Sequence, residues 1–191
     1  EKEKALKVQQ SNNKLMATVN SFAAAAEESG VAVEGKAFDL ALNSVVKVLK
    51  EKVGSDVALS FSADMDEIKA QMIDDVDQYS TDTSGVNIDS NKFGLLSNSV
   101  EIAIGNVVTK IDTIQYADVK AATTTAEDIS DIFSIVNVLT TKVKDSAYAY
   151  NDGQSLSIDM SDSVITAAMA NKAPTDISVT SSFAEDKSDL I

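Results

Sequence analysis

Cysteine, histidine and tryptophan are absent from the 191 residues, and aromatic residues make up only 5% of the chain. Without Cys and His there are no thiol or imidazole nucleophiles, no imidazole general bases, no disulfides and none of the usual zinc sites. Sugar-binding clefts are usually lined with aromatic rings, so the low aromatic content also disfavours enzymes that act on glycans. Most familiar active sites cannot be assembled here, and we predict that the protein is not an enzyme.

Arginine is absent too: all 16 basic residues are Lys, and 30 acidic residues give a net charge of −14. Arginine binds phosphate and recognises guanine through bidentate hydrogen bonds. Because arginine is absent and the net charge is negative, we predict no nucleic-acid partner. The same charge disfavours binding to anionic membrane surfaces. The sequence contains no apolar run of about 18 residues, so we predict no membrane insertion. An acidic, cysteine-free chain suits an extracellular location, where divalent ions screen carboxylates.

Apolar residues recur at steps of three or four through most of the chain, which predicts an all-α fold. Helices are expected at about 4–29, 35–53, 62–79, 91–114, 125–150 and 161–171. Val8 and Phe38 are assigned to the inner stripes of the first two helices. We predict an antiparallel bundle of four or five long and one or two short helices over residues 1–171, with a β-type tail over residues 172–191.

The helix over 125–150 carries the longest apolar stripe, and we expect the other helices to be arranged around it. Its natural partner is the helix over 91–114, which is also rich in Ile and Val and is joined to it by a short connection. The two stripes consist of Ile129, Ile132, Val136, Leu139, Val143, Ala147 and Tyr150, and of Leu96, Val100, Ile104, Val107, Ile111 and Ile114.

Three polar clusters each allow a structural and a functional interpretation. Lysines at 47, 50 and 52 either complement a helix C-terminus or form an anion patch. Carboxylates at 66, 67, 74, 75 and 77 form either a solvated helix face or a calcium site. Residues 87–91 either cap the next helix through Asp89 or Ser90, or begin a calcium loop that lacks the required glycine. The structural interpretation is favoured in each case.

The pattern changes at Pro174, the single proline, which removes a backbone donor and disfavours helix at Ala173. Beyond it, Ile177, Val179 and Phe183 fall on one parity with polar residues between them, as in a β-strand. This strand has no partner strand in the chain. We therefore predict that residues 172–191 are either an extended linker with the first strand of a further repeat or an assembly arm, and that the 191 residues are a piece of a longer protein.

Residues 171–179, NKAPTDISV, followed by AED at 184–186, resemble the opening of a bacterial cadherin-like repeat. The opening of the chain, residues 5–19, is similar to helical segments found beside such repeats in large secreted surface proteins. The resemblance covers about 20 residues and lacks the later Asp-x-Asp signatures of a complete repeat. It implies a weak calcium site formed by Asn171, Asp176 and Glu185.

The resulting prediction is a non-enzymatic extracellular module, acting as a spacer or self-assembling unit of a bacterial surface protein, adhesin or filament. Its partners would be other copies of itself or neighbouring repeats of a longer chain. The alternative is a hydrolase acting on glycans through a carboxylate pair, since Asp and Glu are the abundant acid and base groups.

Overall fold

The computed structural model describes residues 2–52, 64–113 and 127–170, and all regular structure in these ranges is α-helical. The predicted all-α class is therefore confirmed for this part of the chain. The described ranges contain five long helices and one short helix: α1 Lys2–Glu28, α2 Lys36–Lys52, α3 Met65–Asp82, α4 Ser90–Thr113, α5 Glu127–Asn151 and α6 Asp162–Ala170.

Helix α1 lies at the centre of the packing, in contact with α2, α4 and α5. Its second half is buried on nearly every side, from Ala17 through Phe22 to the run Ala23–Ala26. Small side chains let neighbouring helix axes approach closely, which explains how one helix accommodates three partners. Helix α5 contacts α1, α4 and α6, and it packs more extensively on α1 than on α4, which was predicted to be its partner.

The inner stripes of the remaining helices are largely as predicted. Val136, Leu139, Val143 and Ala147 of α5 are fully or almost fully buried. Two assignments are wrong: Val8 is 60% exposed because it lies on the outer side of α1, away from the buried Asn13, and Phe38 is 37% exposed because it lies at the edge of the buried face of α2. Side chains before Ser134 in α5, and the predicted core residue Ile114, lie outside the described part.

Contacts at the helix ends show the directions in which neighbours run. Gln10 near the start of α1 donates to the Ile111 carbonyl near the end of α4, at 2.8 Å. At the other end, the Lys92 ammonium at the start of α4 donates to the Glu28 carbonyl at the end of α1. Helices α1 and α4 are therefore antiparallel. Helices α2 and α3 are antiparallel as well, because Lys52 contacts Asp64 and Ser44 contacts Asp75. The same holds for α3 and α4, where Lys69 contacts Glu101 and Ser90 contacts Asp77.

The turn after α1 is locked against the loop before α4. Gly30 has φ +119°, and a Cβ there would lie 2.5 Å from the Asn87 carbonyl oxygen, so glycine is required. The Asp89 N–H donates to the Ser29 carbonyl at 2.8 Å, and the Asp89 carboxylate accepts the Lys92 N–H at 2.9 Å. This confirms the predicted helix end at Ser29-Gly30 and Asp89 as the cap of α4.

Candidate interaction surfaces

The residues predicted to act in calcium binding and assembly lie outside the described part of the chain. These are the calcium residues Asn171, Asp176 and Glu185 and the assembly residues Pro174, Ile177, Val179 and Phe183. The boundary between the helical part and the tail, at 171/172, also falls there. The surfaces considered next belong to the described helices and the segments that join them.

Three carboxylates of α3, at Asp66, Glu67 and Asp75, pair with lysines of the same chain. Lys69 contacts Asp66 at 3.2 Å and Glu101 of α4 at 2.5 Å. The hydrogen bond to Glu101 raises the pKa of the Lys69 ammonium above its ordinary value. Asp75 accepts from Ser44 at 2.8 Å and pairs with Lys47. Among the described residues, no group of three or more acidic side chains is placed to hold a metal ion.

The predicted lysine cluster at the end of α2 is mostly occupied in ion pairs. Lys52 contacts Asp64 at 2.7 Å and Glu67 at 3.0 Å. The hydrogen bond to Asp64 raises the pKa of Lys52. Lys47 pairs with Asp75 across an open groove of about 530 Å³ between α2 and α3. Lysines and carboxylates both line this groove, so it does not form an anion patch.

A second groove, of about 400 Å³, lies between the C-terminal half of α4 and the start of α6. Met160 and Ile165 are both buried beneath it. Its rim carries Lys110 and Asp162, whose charged groups are 3.8 Å apart. The arrangement offers hydroxyl and amide groups but no nucleophile paired with a base, so it does not suggest a chemical step.

An extended segment, residues 154–161, runs back along α5 and exposes part of its backbone. Leu156 and Ile158 pack against the core with partly buried side chains. The Ser157 N–H donates to the Ser146 hydroxyl at 3.1 Å. In an extended chain, successive N–H groups point to opposite edges, so those of Leu156 and Ile158 point away from Ser146. Within the described residues, the backbone N–H and C=O groups of Leu156 and Ile158 form no hydrogen bond.

A further surface, the α4 strip, runs along the exposed side of α4. It consists of six residues at helical spacing, all exposed: Asn91, Leu95, Asn98, Ile102, Asn106 and Thr109. Leu95 is 42% exposed and Ile102 is 68% exposed. The sequence analysis missed this strip, since it assigned Leu96 and Ile104 to the core and left their apolar neighbours unassigned. The seven-residue spacing of Leu95 and Ile102 shows that they share a face of the helix, but not that this face is exposed.

None of the described helices is both long enough and apolar enough to span a bilayer. Searches of protein-family models, of curated proteins and of solved structures find no significant match to this chain.

Proposed function

We propose that this chain is a non-enzymatic structural module of a bacterial surface protein, adhesin or filament. In this proposal, residues 1–171 form an antiparallel helical bundle and residues 172–191 form a strand that extends from it. The strand pairs with a neighbouring copy or with a neighbouring repeat of a longer chain, and the bundle acts as a spacer between such contacts.

The observation that carries the proposal is the open backbone edge at Leu156 and Ile158. An extended segment with unpaired N–H and C=O groups is a template for the addition of another strand. The side chains of these two residues are already held by the core, so the edge is fixed in place before any partner arrives. A strand with the alternation of Ile177 and Val179 is complementary to such an edge, because backbone pairing places few demands on sequence.

The acidic surface supports an extracellular setting for this module. A net charge of −14 makes identical copies repel one another, and divalent cations weaken that repulsion. Asn171, Asp176 and Glu185 would bind calcium weakly at the junction between bundle and tail. Calcium would then help to order the exit of the strand rather than support a reaction.

Removal of residues 174–191 tests the proposal. We expect the truncated protein to keep its helical circular dichroism but to lose the higher-order association that light scattering detects for the full chain. A truncation that removes only residues 187–191 is the matched control, since it leaves Ile177, Val179 and Phe183 in place. Association that is unchanged after removal of residues 174–191 would exclude the strand from any role in assembly.

A further inference from the structure

We propose that the α4 strip is a two-fold contact between copies of this chain, formed by two α4 helices packed antiparallel. The inference deepens the proposed self-assembly and rests on it, but the contact surface itself does not include the tail. It adds a specific surface, a specific partner and a register between the two copies.

The first support is the order of residues along the strip. From Asn91 to Asn106 it reads Asn, Leu, Asn, Ile, Asn, with steps of four, three, four and four residues. When a second α4 runs in the opposite direction about an axis beside Asn98, Leu95 of one copy lies against Ile102 of the other. The same operation sets Asn91 against Asn106. A surface that is complementary to its own reversed copy is what a two-fold dimer contact requires.

The residue beside the axis is suited to meet its own counterpart. An asparagine side chain carries both an acceptor oxygen and a donor amide, so two Asn98 side chains can hydrogen-bond reciprocally. A buried Asn between apolar positions is a recognised way of fixing register between helices. Two carboxylates or two ammonium groups in that place would repel each other.

The second support is charge. The chain carries 16 basic and 30 acidic residues, yet the six residues of the α4 strip are all uncharged. The nearest charged groups on α4 are engaged within the same copy, Glu101 with Lys69 and Lys110 with Asp162. Two acidic copies therefore meet with little electrostatic cost along this face.

The size of the strip indicates how such a contact is used. The six residues are distributed over 19 positions of α4, from Asn91 to Thr109, which span roughly 27 Å at about 1.5 Å per residue. Two of the six side chains are apolar. A strip of that length and about 10 Å wide, the width of one helix, covers roughly 270 Å², which is less than the roughly 800 Å² per partner that a stable dimer usually buries. The α4 contact is therefore weak in isolation and becomes effective when another link, such as the tail, holds copies together.

Cysteine trapping tests the contact directly, because the chain contains no Cys of its own. We expect an Asn98→Cys variant of the full chain to form a disulfide dimer under mild oxidation. An Asn43→Cys variant is the matched control, since it replaces an exposed Asn of α2 far from the strip. Dimer formation should be at least about tenfold faster at position 98, because a disulfide requires Cα atoms within about 7 Å.

The register is tested with two more single-cysteine variants. A mixture of Leu95→Cys and Ile102→Cys chains should form the mixed dimer in preference to either homodimer. Efficient homodimers of the Leu95→Cys variant would indicate parallel helices and would overturn the proposed geometry. Adding Leu95→Glu to the Asn98→Cys variant should reduce trapping to the level of the Asn43→Cys control, with unchanged helicity.

Light scattering on the same samples separates this inference from the proposed function. Association of the full chain without faster trapping at position 98 would refute the α4 contact and leave assembly through the tail standing. Faster trapping at position 98 that persists after removal of residues 174–191 would support the α4 contact, whatever the role of the tail. Absence of both association and trapping would refute both.

Discussion

The ammonium of Lys92 is the most deeply buried positive charge in the described part of the chain. The residue is 4% exposed, and its Nζ donates to the Glu28 carbonyl at 2.6 Å and to the Asn151 side chain at 3.0 Å. Glu28 and Asn151 end α1 and α5, so two helix C-termini, each carrying partial negative charge, meet at one cation. This arrangement explains how a lysine is retained in the first turn of α4, where the helix dipole disfavours it.

Replacement of this cation should cost substantial stability. We expect Lys92→Met to lower the free energy of unfolding by about 1–3 kcal/mol, because the Glu28 carbonyl loses its buried donor. Urea denaturation measures the change. Lys110→Met is the control on the same helix, and it should cost less than about 0.5 kcal/mol, since its partner Asp162 is largely exposed. Equal losses for the two variants would contradict the role assigned to Lys92.

The burial of Lys92 could not be predicted from sequence. Its partners are 64 and 59 residues away along the chain, and periodicity places Lys92 simply at the start of a helix. By contrast, the capping role of Asp89 was predicted, because its partner is three residues away. Local hydrogen bonds follow from spacing, whereas long-range ones depend on how whole helices meet.

At the scale of elements, the apolar stripe of α5 shows what periodicity determines well. Leu139 is fully buried in the middle of this stripe. We expect Leu139→Ala to cost about 2–5 kcal/mol of unfolding free energy, through lost burial and an unfilled cavity. Tyr148→Ala on the same helix, where the side chain is 60% exposed, should cost less than about 1 kcal/mol. Chemical denaturation of both variants checks the pair, and a loss below about 1 kcal/mol at Leu139 would mean that it is not in the core.

The central position of α1 was missed for a related reason. Periodicity detects a helix with one apolar face, whereas the second half of α1 is buried nearly all round and is rich in small residues such as Ser21 and Ala23–Ala26. Such a helix shows little contrast between its faces. Ranking helices by the length of the apolar stripe therefore favours α5, although α1 packs more extensively against its three neighbours than α5 does against its own three.

The start of α6 should make stability depend on pH. The Ser161 N–H donates to the Asp159 carboxylate at 3.0 Å, and this hydrogen bond lowers the pKa of Asp159 below its ordinary value of 3.8. A lowered folded-state pKa adds stability above the unfolded pKa, and that stability is lost as the pH falls through the folded value. We therefore expect Asp159→Asn to reduce the acid dependence of unfolding below about pH 4.

Urea midpoints measured across this acidic range for the wild type and Asp159→Asn give the comparison. Asp152→Asn, which removes an exposed carboxylate in the turn after α5, is the control. Its pH profile should stay closer to that of the wild type. If the two variants change the profile equally, the effect comes from overall charge and not from the Ser161 contact.

At the scale of the whole molecule, residue spacing was enough to predict that the described part of the chain is all-helical, but not the surfaces that we propose for assembly. The α4 strip required knowledge of which side of α4 the core occupies, because Leu95 and Leu96 are equally apolar in sequence. The open edge at Leu156 and Ile158 required the position of the segment relative to Ser146. Both surfaces depend on long-range packing, which a single sequence specifies only indirectly.

The repulsion between acidic copies makes their association depend on salt. If copies meet through the uncharged α4 strip and a backbone edge, their net charge of −14 each opposes association. Screening should then strengthen it, because the Debye length falls from about 30 Å at 0.01 M to about 3 Å at 1 M salt. We expect light scattering by the full chain to increase with NaCl, and to increase further in CaCl₂ at matched ionic strength.

Replacing Asp176 with Asn and Glu185 with Gln should remove the additional effect of calcium and preserve the effect of NaCl. Association that weakens as NaCl rises would mean that ion pairs join the copies, which is incompatible with contact through the α4 strip.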